Sequence, residues 1–115
     1  MNVIETKMVA AINAGKNWQQ GATEVIVSDA GNVQVMLYGS PIVRIENGKK
    51  DIFVSLAGYN TLTTRSRINA VLDTFGVSRV ANDKHVPYIA GRQIPTGRVW
   101  VQVMRAGVEI PAESV

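Results

Sequence analysis

The sequence predicts an α+β fold: a mostly antiparallel β-meander with two short helices, in one domain spanning residues 1–115. Three observations carry this. Apolar residues recur at helical spacing in two separate stretches, they alternate with polar residues through most of the remainder, and Gly- or Asn-containing turn signals separate the alternating runs. A chain of 115 residues has room for one substantial core and no reason to divide.

Helix one is read from Ile4, Met8 and Ile12, four residues apart with Ala11 beside them. Asn2 and Glu5 have capping-box spacing, and Gly15 stands where a C-cap belongs. The period then changes to two. Thr23 to Ser28 and Asn32 to Tyr38 form a hairpin about Asp29-Ala30-Gly31. Pro41 to Glu46 and Asp51 to Ala57 form a second through Asn47-Gly48, a pair suited to a tight primed turn. Phe53 lies opposite Ile52, Val54 and Leu56, so both faces of its strand are apolar and the strand is expected to be central. Helix two carries Ile68, Val71, Leu72 and Phe75, with Thr61 or Asn60 as its cap and Gly76 at its end. Beyond it, Val77 to Val80, Val86 to Ile89 and Val99 to Met104 read as strands. Pro87 and Pro95 predict an edge strand or loop in the middle of this region. The last eight residues or so are expected to be a loose tail.

Composition excludes several chemistries. With no Cys there is no disulfide framework, thiolate zinc site or Cys nucleophile, which suits a reducing compartment. No run approaches the length of a membrane span, and the N-terminal stretch, with Glu5 and Lys7 inside it, does not read as a signal peptide. His85 is the sole histidine, with no second His or Cys to share a metal. The Gly-x-Ser-x-Gly, phosphate-loop and dinucleotide fingerprints are all missing, so no enzyme, metal or cofactor is expected.

Charge is uneven. Residues 1–60 carry five basic and five acidic side chains, whereas residues 61–107 carry seven basic against two acidic, a net of +5 that is almost wholly arginine. Arginine offers a planar fork for phosphate or carboxylate and can stack on bases, so an anionic partner fits this half. A solvated, slightly basic surface fits the same count.

Two candidate binding sites follow. Thr63, Thr64, Arg65 and Arg67 open helix two, where free backbone N–H groups, hydroxyls and guanidinium groups can hold an anion. The alternative is that a threonine caps the helix while the arginines flank its apolar stripe. Arg98 and Trp100 share a strand face with Gln102, a combination that can stack a base or anchor a protein. The alternative there is a Trp packed beneath the second helix or a loop.

The stretch from Ile52 to Leu72, with Gly58-Tyr59 followed by Thr63-Thr64-Arg65-Ser66-Arg67-Ile68-Asn69, resembles a segment of small hypothetical proteins encoded by tailed bacteriophages, and Val35 to Ile42 is similar to the strand that precedes it there. The resemblance implies viral origin and a place in the cytoplasm of the bacterial host. It brings no activity and no site residues. Three functions are compatible with it: a non-enzymatic accessory protein that binds and inhibits a host protein or protein–nucleic-acid complex, in defence or transcription, through a basic surface; a nucleic-acid-binding protein using residues 61–107; or a sponge for a small anionic nucleotide signal held between subunits of a homo-oligomer. None involves a membrane.

Overall fold

The computed structural model describes residues 1–111 and shows the expected α+β architecture. Helix α1 (Val3–Ala14) begins at Asn2, whose side chain accepts from the Glu5 amide at 2.8 Å, while the Glu5 carboxylate accepts from the Asn2 amide. It ends at Gly15 in the left-handed region. Helix α2 (Leu62–Thr74) begins at Thr61, whose hydroxyl accepts from the Thr64 amide.

Strands β1 (Trp18–Gln20), β2 (Thr23–Val27), β3 (Val33–Leu37), β4 (Ser40–Glu46) and β5 (Asp51–Val54) form the meander. After α2 come β6 (Val80–Asp83), β7 (Val86–Ile89) and β8 (Arg92–Gln93), which make a small sheet of their own. The chain then returns as β9 (Val101–Arg105) and β10 (Val108–Glu109), giving a seven-stranded sheet in the order β1-β2-β3-β4-β5-β9-β10. Every pairing is antiparallel.

Register sorts the large sheet into two faces. Val25, Val35, Val43 and Val54 are aligned across β2 to β5, and Val33, Ile45 and Ile52 across β3 to β5. All are buried, and they form one cluster with Met8 and Ile12 of α1 and with Ile68, Val71 and Leu72 of α2. The opposite face presents Ile26, Gln34, Arg44, Phe53 and Gln102, which are half-buried or exposed. Phe53 thus sits on a central strand, as expected, but no helix covers it.

Several expectations need correction. Asn47-Gly48 is part of a four-residue connection in which Asn47, Gly48 and Lys49 all have positive φ, and Glu46 pairs with Asp51. The two-residue primed turn occurs instead at Tyr38-Gly39, with φ of 50° and 77°, and the same geometry recurs at Lys84-His85, Ala90-Gly91 and Ala106-Gly107. Residues 77–79 precede the strand that starts at Val80. Pro87 lies on the middle strand of the small sheet, not an edge. It is tolerated because β8 pairs only with Tyr88 and Ile89, leaving the Pro87 carbonyl to accept from the Ile94 amide. The expected tail begins too early: Val108–Glu109 is a strand, and the Glu109 carboxylate accepts from the Ser78 amide. Residues 112–115 of that tail lie outside the described residues.

Candidate functional site

The two regions singled out from sequence have different fates. At the start of α2, Arg65 Nη1 donates to the backbone carbonyl and side-chain oxygen of Asn60, at 3.1 and 2.6 Å. Asn60 in turn donates to the Asn82 side chain and the His85 carbonyl, so Arg65 braces the loop against the β6–β7 turn. Arg67 is buried and points toward α1, donating to Glu5 Oε2 at 2.6 Å and to the Thr23 hydroxyl at 3.1 Å. The structure therefore does not bring these arginines to the helix N-terminus as anion ligands. Both are committed to internal partners by hydrogen bonds that a solvated flank would not make. Thr64 is 2% exposed, its hydroxyl shares a hydrogen bond with that of Thr61, and with Thr63 it helps wall a cavity.

The Arg98–Trp100 region is different. Trp100 does not pack beneath α2; it stands on the face turned away from the helices. A bulge in β9 between the partners of Ile52 and Phe53 buries both Val103 and Met104 and leaves Gln102 opposite Phe53 on that face. The Arg44 guanidinium lies 4.1 Å from the centre of the Phe53 ring and 4.9 Å from that of Trp100. Glu46 Oε2 is 3.1 Å from Arg44 Nε but off the N–H direction, so that buried Nε has no hydrogen-bond partner among the described residues. A cation between two aromatic rings is held by their quadrupoles, which fixes both rings as a platform.

Trp100 also forms part of two grooves. One includes Arg98, and the other, of about 400 Å³, includes Arg92 and Arg105 with Gln102 and Val99. Arg92, Arg98 and Arg105 make no ion pair with any described residue. The six arginines of residues 61–107 thus divide in two, with Lys84 in neither group. Arg65, Arg67 and Arg79 are engaged, the last with Asp73 at 3.2 Å, while the other three line the two grooves that include Trp100. Sequence reasoning singled out Arg98 and Trp100, held Arg92 and Arg105 only within the basic stretch 61–107, and did not bring Arg44 and Phe53 to this face. Alternation sets Phe53 opposite Ile52, Val54 and Leu56, but only strand order and register show that Arg44 and β9 lie beside it.

A family model described as Kyanoviridae Gp96 protein matches residues 1–106. The chain belongs to this family. The match spans α1 through β9, so the resemblance carried by Ile52 to Leu72 extends to nearly the whole fold of a phage protein. No curated protein and no solved structure matches the chain. The Gp96 family brings no activity with it, and chemistry must be read from the surface just described. Among the described residues, no helix is long and apolar enough to cross a membrane.

Proposed function

We propose that this phage protein acts by binding, without catalysis, that the arginine-ringed face about Trp100 is its contact surface, and that single-stranded nucleic acid is the partner best matched to that surface. The observation carrying the reading is the convergence of Arg92, Arg98 and Arg105, none with an acidic partner among the described residues, on grooves that share Trp100. Guanidinium groups neutralise phosphates irrespective of sequence, and aromatic rings accept unstacked bases, an arrangement that favours single strands over duplex.

A second reading, capture and inhibition of an acidic host protein, draws support from one feature. Val99 is 51% exposed and lines the larger groove with Pro95 and Ile110, an apolar socket that suits a protein side chain. Fluorescence anisotropy with labelled single-stranded and duplex oligonucleotides at low salt tests the first reading. Single strands should bind more tightly, and Arg98→Ala, at an exposed position, should weaken them. Absence of single-strand binding overturns it, and recovery of a stoichiometric acidic protein, lost in Arg98→Ala, would establish the second.

A further inference from the structure

A separate cavity of about 400 Å³ opens beside the start of α2, between the β3–β4 turn and the segment following β5. Its floor is formed by Leu37, Ile42 and Leu56, all buried. None of its ten lining residues is charged, because the arginines of the adjoining motif are turned to Asn60 and Glu5. Its side-chain polar groups are hydroxyls. Ser40 is 7% exposed and lines the cavity, and its hydroxyl, like that of Thr63, makes no hydrogen bond to any described residue and so is open to a ligand.

The rim is aromatic. Tyr38 and Tyr59 also line the cavity, and both are more than half exposed. Tyr38 has φ of 50° as the first residue of the two-residue turn, where Asn or Gly is favoured and a bulky side chain is disfavoured. A large ring held in solvent on an unfavourable backbone points to use rather than packing.

We propose that this cavity binds an uncharged, flat heteroaromatic molecule of the nucleobase or nucleoside class, its ring against Tyr38 and Tyr59 and its polar edge on the Ser40 and Thr63 hydroxyls. The volume falls within the range of small-ligand sites, which are mostly apolar with a few placed polar groups. The uncharged lining selects against a free anionic nucleotide, which would lose hydration there without gaining a cationic partner.

The test is amide chemical-shift mapping of the full chain titrated with adenosine and, separately, uridine. Saturable shifts should appear for the amides of residues 37–42 and 56–64 and should persist in Trp100→Ala, since Trp100 does not line this cavity. Tyr38→Asn should melt at the same or a higher temperature while weakening nucleoside binding about tenfold, as should Tyr59→Ala. The proposal fails if neither nucleoside gives saturable shifts in these segments, or if both tyrosine variants bind as the parent does. It also fails if the same amides shift with protein concentration alone, which would assign the cavity to a second copy of the chain.

Discussion

Arg67 Nη1 and Glu5 Oε2 lie 2.6 Å apart between the two helices, with 10% and 4% of their side chains exposed. Glu5 also accepts from the Ser66 hydroxyl at 2.6 Å and from the Asn2 amide through its other oxygen, so one carboxylate joins the cap of α1 to the first turns of α2. Arg67 extends the link to Thr23 of β2. Breaking such a buried pair from one side leaves an uncompensated charge, so Arg67→Met should destabilise the protein by about 3–5 kcal/mol. Replacing both partners, in Glu5→Leu with Arg67→Met, should recover part of that loss. Urea unfolding of the three proteins measures both effects, and equal midpoints for all three would refute the role given to the pair.

Acid should act on the same carboxylate. Burial raises the Glu5 pKa, but hydrogen bonds from Ser66, Arg67 and the Asn2 amide, with the Arg67 charge, outweigh it and hold the group below its ordinary 4.5. A folded pKa below the unfolded one means that the stabilisation is fully present above pH 4.5 and is lost as pH falls below it through the depressed value. Urea midpoints measured from neutrality down into this acidic range should fall more steeply for the parent than for Glu5→Gln. Parallel curves would contradict the assignment.

Asn69 acts as an extra strand residue. Its side chain accepts from the Val80 amide at 2.6 Å and donates to the Val80 carbonyl at 3.1 Å, and both residues are buried. Asn69→Leu strands those two backbone groups, and unsatisfied buried groups cost about 1–3 kcal/mol each. Hydrogen exchange at β6 and β7 should accelerate in this variant more than exchange at β2 and β3. Uniform acceleration would mean that Asn69 does not specifically anchor the small sheet.

The Thr-Thr-Arg-x-Arg-Ile-Asn run that drew attention in the sequence is therefore largely a set of internal fastenings: Thr64 to Thr61, Arg65 to Asn60, Arg67 to Glu5 and Asn69 to Val80. Hydrophobic period and cap spacing made α1, α2 and the strands from Thr23 to Val54 legible, because local chemistry sets those elements. The short strands β1, β8 and β10 were not legible. Each has two or three residues and exists only because a neighbour offers a ladder. The face proposed as the contact surface was half legible for the same reason. Alternation gives the side to which Arg44, Phe53 and Trp100 turn, but not that a strand arriving some 50 residues later would lie against β5.

The salt dependence of single-strand binding tests the central claim most directly. If Arg92, Arg98 and Arg105 each neutralise a phosphate, log affinity should fall against log salt with a slope of about −2, since each contact on a single strand contributes about −0.7. Arg98→Ala should reduce the magnitude of that slope by about 0.7, whereas Arg79→Ala, which removes a side chain already paired with Asp73, should leave it unchanged. A slope near zero, or one that Arg98→Ala does not alter, would show that the face around Trp100 is not where nucleic acid binds.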